Sequence, residues 1–181
     1  MEAYALDHKF TSEDYDSWDE DVRCELINGV VYNLAAPMED HQSICVELCT
    51  QLHTYLRKKT CRVFTAPYAV YLTPNTVVEP DLVIVCDPSK RTRRGCQGAP
   101  DMVVEVVSPS SMRMDLRTKM DLYLKAGIRE YWLVYPEPHI VQVYLLTEGK
   151  YVSTAYGPDG FIPVSVLEDC KVDLSLVFPE E

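Results

Sequence analysis

From His41 to Lys59 the apolar residues Ile44, Leu48, Leu52, Tyr55 and Leu56 recur at three- and four-residue spacing among polar positions. That period gathers them onto one stripe, so the pattern predicts an amphipathic helix. Just upstream, Cys24-Glu-Leu-Ile-Asn-Gly-Val-Val-Tyr32 reads as two β-prone runs around Asn28-Gly29, a dipeptide suited to a type I′ turn because both central residues need positive φ. A hairpin followed by a long helix therefore opens the fold.

Short β-rich runs follow at 62–65 and 68–73, then at 81–86 and 102–107. The last two are nearly continuously apolar, which predicts central strands covered on both faces. Ser108-Pro-Ser-Ser111 turns the chain and offers a helix cap. Leu116, Met120, Tyr123 and Leu124 then keep helical spacing, and Gly127 is placed to end that helix. Runs at 129–135, 140–146 and 151–156 read as further strands, with Glu148-Gly149 as a hairpin turn. The order of elements predicts an α/β protein with a mixed β-sheet flanked by helices, and not a regular βαβ repeat.

A length of 181 residues suits one domain, 1–181, with an acidic segment over 1–22. No uncharged apolar run approaches the length that crosses a bilayer, and the first ten residues lack a basic and apolar leader, so a cytoplasmic location without membrane contact is expected. Seven cysteines without a Cys-x-x-Cys pair then fit free thiols better than a disulfide framework. Seventeen basic and 28 acidic residues leave a net charge of −11, which speaks against a polyanionic partner. The acidity is local, however: residues 1–25 hold nine acids and two bases.

Glu105 interrupts the run Met-Val-Val-Glu-Val-Val, and a carboxylate inside a buried strand has to be protonated, paired or bound to a cation unless its face is exposed. Asp101 would share its face but lie ~13 Å away along the strand, too far to share an ion, and it reads as a turn or cap residue at the strand entrance. Asp81, at the start of the preceding strand, comes within reach of the same hard cation if the two strands are neighbours ~4.8 Å apart. Lys119 sits beside the apolar stripe of the following helix, where it points either along the sheet towards these acids or to Asp115 in an i,i+4 ion pair. His41, Cys45, Cys49 and His53 repeat at i+4, so neighbouring members suit a soft ion such as zinc. All four climb ~18 Å and cannot bind one tetrahedral ion, and cysteines beside an apolar stripe are usually core.

Pro80-Asp81, a variable loop, then Gly98-Ala-Pro-Asp-Met-Val-Val-Glu-Val-Val-Ser-Pro-Ser-Ser111, Asp115, Lys119, Tyr123 and Glu130-Tyr-Trp-Leu-Val134 together resemble the Uma-type group of restriction-like endonucleases in the PD-(D/E)XK superfamily. The resemblance extends upstream through Glu25-Leu-Ile-Asn-Gly29 and the helix beginning at His41. In the wider superfamily a lysine stands two residues after the second acid; here that position is Val107, and Lys119 is the residue that fits the role. An acid from the first helix often joins such sites, a place Glu47 fits.

The resemblance implies a restriction-endonuclease-like fold and hydrolysis of DNA phosphodiesters with Mg²⁺, for which Mn²⁺ substitutes. Asp81 and Glu105 would hold the ion and Lys119 would orient its water or offset charge on the phosphorus. Lys90, Arg91, Arg93 and Arg94 form a basic loop between the two strands, either a phosphate-backbone contact or a solvated surface loop. By analogy with nucleases that cut both strands, a homodimer is expected. The alternative is a non-catalytic module that keeps the fold to bind nucleic acid or a protein, which the acidity and Val107 favour.

Overall fold

The computed structural model describes residues 8–19, 22–108 and 114–178. The Pro109–Ser111 part of the expected turn and the side chain of Asp115 lie outside the described residues. In chain order the elements are α1 (Ser12–Ser17), β1 (Cys24–Ile27), β2 (Val30–Asn33), α2 (Glu39–Leu56), β3 (Arg62–Thr65), β4 (Val70–Thr73), β5 (Thr76–Val78), β6 (Leu82–Val85), β7 (Cys96–Gln97) and β8 (Met102–Val106). They continue with α3 (Met120–Ala126), β9 (Glu130–Tyr135), β10 (Ile140–Thr147), β11 (Lys150–Tyr156), β12 (Phe161–Pro163) and β13 (Lys171–Asp173).

The hairpin β1–β2 closes on Asn28 (φ 52°) and Gly29 (φ 82°), the positive values a type I′ turn requires. Helix α2 buries Ile44, Cys45, Leu48, Leu52 and Leu56 along one stripe. Helix α3 ends where Gly127 turns left-handed (φ 77°), a conformation that costs glycine nothing.

The strands sort into two main sheets and a small hairpin, where the chain pattern pointed to one mixed sheet. The larger has the order β11-β10-β9-β8-β6-β3 and is antiparallel except for β8 beside β9. The smaller has the order β2-β1-β5-β4-β7, and β12 pairs with β13. Between β5 and β6 the chain passes from one sheet to the other through Glu79-Pro80, and proline has no amide with which to continue either ladder.

Strand β8 displays the period of two. Val104 and Val106 join α2, Trp132, Val134 and the β12–β13 hairpin in one core, while Val103 and Val107 face a second core with Tyr123, Tyr131, Leu133, Val70 and Val78. The larger sheet is thus the middle layer; β6 and β8 are buried on both faces as their apolar runs predicted, and most of β9 is buried too.

The thiols need one correction. Cys61 and Cys86 form a disulfide, with Cys24, Cys45, Cys49, Cys96 and Cys170 free. The two bonded residues extend the β3–β6 register by one step beyond Arg62↔Val85, so strand pairing lays them side by side although 25 positions separate them in the chain. No helix among the described residues is long and apolar enough to cross a membrane.

Candidate active site

Glu105 points from β8 into the second core and is buried there, at 4% exposure. Its Oε1 accepts hydrogen bonds from Lys119 Nζ at 2.8 Å and from the Tyr123 hydroxyl at 2.6 Å. Lys119 Nζ lies 2.9 Å from Glu25 Oε1 on β1, and lysine and glutamate are 3% and 0% exposed. A wide π-type turn, Met114–Lys119, delivers the lysine to the head of α3, and Tyr123 follows one turn later on the same face. Leu116, which the spacing put on the apolar stripe, is exposed.

Asp81 stands one residue before β6. Leu82↔Val104 and Val83↔Val103 fix the register between β6 and β8, and one further step sets Asp81 opposite Glu105. Its Oδ2 accepts a hydrogen bond from the Val106 amide at 2.7 Å, serving a strand N–H beyond the last paired residue. On the α2 side the same oxygen lies 3.2 Å from His41 Nε2, and His41 Nδ1 lies 3.7 Å from Cys45 Sγ. The Cys45 thiol is pushed far up by burial and then by the negative charges of Asp81 and Glu105, so both carboxylates bear on one thiol.

Glu25 is tied to the crossing between the sheets. Its Oε1 also accepts from the Glu79 amide at 2.9 Å, while its Oε2 is buried with no hydrogen-bond partner among the described residues. Glu79 in turn accepts from the Tyr15 hydroxyl at 2.8 Å, and burial raises the Glu79 carboxyl above its ordinary value. The Tyr123 hydroxyl is raised well above the tyrosine range by burial first and by the neighbouring Glu105 next, so it stays protonated and donates.

Glu25, Asp81 and Glu105 thus bring three carboxylates to a largely buried region, with Lys119 between two of them. His41 lies beside the third, Asp81, and carboxylate oxygens are the donors that hard divalent ions take. The residues fit a magnesium-class ion.

The other expected site residues lie elsewhere. Glu47 accepts from Gln51 Nε2 at 3.0 Å, and Gln51 also bonds the backbone of Asp173, so this acid is on the flank of α2 that faces β13. Glu25, from the first hairpin, is the additional acid that the fold brings to Lys119 in its place. The basic loop springs from the ends of β6 and β8 remote from Asp81 and Glu105. Lys90 donates to the Ala99 carbonyl, Arg91 to the Thr60 carbonyl, and Arg94 pairs with Asp16, while the side chain of Arg93 is exposed. Asp101 accepts from the Cys86 amide at 2.6 Å and pairs with Arg129, the structural part its position suggested.

Glu25, Tyr123, His41 and Cys45 escaped assignment to the site. Glu25 carried the same signal as Glu105, an acid inside a β-prone run, and Tyr123 sits four residues after Lys119. The meeting of His41 with Asp81 has no local signal, because it depends on how α2 packs over β6.

Comparison with known proteins agrees with this architecture. A solved structure described as a putative nuclease of DUF820 from Anabaena variabilis superposes with a TM-score of 0.77 over 93% of this chain and 97% of that one, at 20% identity. A Synechocystis sp. protein described as uncharacterized is 30% identical over 131 residues, 70% of this chain and 68% of that one. The family profile named Uma2 and described as "Putative restriction endonuclease" matches residues 12–175. With a nuclease-like fold and that match over nearly its whole length, the chain belongs to the Uma2 family.

Proposed function

We propose that the protein is a metal-dependent endonuclease that hydrolyses DNA phosphodiester bonds at the Asp81–Glu105–Lys119 cluster. The observation that carries the reading is Lys119, a buried lysine bonded to Glu105 and Glu25 at the end of β8 where Asp81 also lies. The family and fold support the same chemistry.

Asp81 and Glu105 are the residues that would hold Mg²⁺ or Mn²⁺, which when bound polarises the phosphate and lowers the pKa of its water. Lys119, fixed by two carboxylates, holds positive charge where negative charge builds on the phosphoryl oxygens. Tyr123 donates to the same Glu105 oxygen as Lys119, and Glu25 fixes Lys119; both are positioning residues. Arg57, which lines the same cavity as Asp81, would meet a backbone phosphate there.

The test is cleavage of linear, supercoiled and single-stranded DNA with Mg²⁺ or Mn²⁺ by wild type and by Glu105→Gln and Asp81→Asn. Both variants should lose metal-dependent cutting and a calorimetric Mg²⁺ signal. Cutting that survives in both would place the chemistry elsewhere. The net charge of −11 and Val107 favour the second reading, a binding module without catalysis, and a wild type that binds DNA but takes up no Mg²⁺ would establish it.

A further inference from the structure

His41, Cys45 and Asp81 each offer a ligand atom, and these atoms lie within 4.8 Å of one another. Two come from successive turns of α2 and the third from the start of β6, so the group exists only in the folded chain. It lies against an open cavity of about 430 Å³ lined by Cys45 and Asp81 and, further along the helix, by Cys49, His53 and Arg57.

We propose that this group is a binding site for a borderline-soft transition metal ion of the Zn²⁺ and Co²⁺ class, distinct from the Mg²⁺ site and sharing only Asp81 with it. The donor set decides the class of ion. Imidazole nitrogen and thiolate sulfur select zinc-like ions, whereas Mg²⁺ takes oxygen ligands. Bonds of ~2.0–2.3 Å at tetrahedral angles place ligand atoms ~3.4 Å apart, so from within 4.8 Å no pair has to close in by more than about 1.4 Å.

Three protein ligands leave the fourth position to water from the cavity, the pattern of an open site and not of a closed structural one. Cys49 lines the same cavity one turn further on but is outside the group. Binding replaces the Cys45 thiol proton with the metal, and that proton leaves to solvent. Depressing the thiol in this way overcomes the burial and the two carboxylates that otherwise keep it protonated. The site shares Asp81 alone with the nuclease reading and involves neither Lys119 nor Glu105, so the two can be tested apart.

The experiment is a titration of the metal-stripped full chain with Co²⁺, kept under a non-thiol reductant. One equivalent should give a thiolate-to-cobalt charge-transfer band in the near ultraviolet and visible bands of tetrahedral strength, and Zn²⁺ should abolish both. Cys45→Ser and Cys45→Ala should lose the charge-transfer band and Cys49→Ser should keep it. His41→Ala and Asp81→Asn should weaken Co²⁺ binding by at least about 100-fold, the upper end of what losing a ligand's own hydrogen-bond partner costs. Near-ultraviolet circular dichroism checks that each variant is folded.

A band that persists in folded Cys45→Ser or Cys45→Ala, or a wild type with no charge-transfer band, overturns the proposal. Glu105→Gln separates the two sites: it should abolish the Mg²⁺ signal and leave the cobalt band. Loss of the cobalt site alone leaves the nuclease reading standing, and failure of Mg²⁺ binding alone leaves this one.

Discussion

Replacing Lys119 with methionine keeps most of the side-chain volume but removes the cation held between Glu25 and Glu105. Both carboxylates are almost fully buried, so the variant has to keep two acids out of water without this counter-charge. Removing one partner of a buried ion pair costs ~3–5 kcal/mol. For a domain of this size each kcal/mol shifts Tm by ~2–4 °C, so the loss is ~6–20 °C at neutral pH. Urea unfolding of wild type and variant at neutral pH measures this. A defect under about 0.5 kcal/mol would refute the claim that Lys119 neutralises this pair.

Three further outcomes follow from the same geometry. In Glu25→Gln the Glu79 amide keeps an acceptor while Lys119 loses a counter-charge, so steady-state DNA cleavage should show kcat reduced by about 10- to 100-fold with KM little changed. Burial raises the Glu79 carboxyl, so the folded state holds its proton more tightly and stability drops as pH climbs past the ordinary value of 4.5; Glu79→Gln should flatten that slope in denaturation midpoints. Cys61→Ser, or reduction, opens a loop of 25 residues and should lower unfolding free energy by about 3.5 kcal/mol on the chain-entropy account, read from urea melts with and without reductant.

The elements were legible wherever one period dominated. The stripe from Ile44 to Leu56 gave α2, and the runs at 82–85 and 102–106 gave two buried strands. Strands β5, β7, β12 and β13 have two or three residues each, too short for alternation to register, and α1 rests on a Thr11–Asp14 capping box and no apolar stripe. A buried acid in a strand is an informative signal but not a selective one. Glu25 and Glu105 meet at Lys119, whereas the buried Glu130 is taken up by Trp132 Nε1 at 2.7 Å and the Val166 amide at 2.9 Å, a packing role. Sequence spacing ranked Asp81 above Asp101, and of the two only Asp81 continues the register to Glu105. The Cys61–Cys86 bond and the His41–Asp81 contact were not legible, because each joins residues through tertiary packing alone.

The ion pair between residues 25 and 119 also bears on when the chain acquires its charge arrangement during synthesis. Glu25 leaves the ribosome early with the first hairpin, but its partner emerges only after both proposed metal-binding acids have been made. Bringing such distant positions together demands loop closure before any contact rewards it, so this contact belongs late in assembly. A nascent or half-folded polypeptide therefore carries the acids without the lysine in place until both sheets have docked.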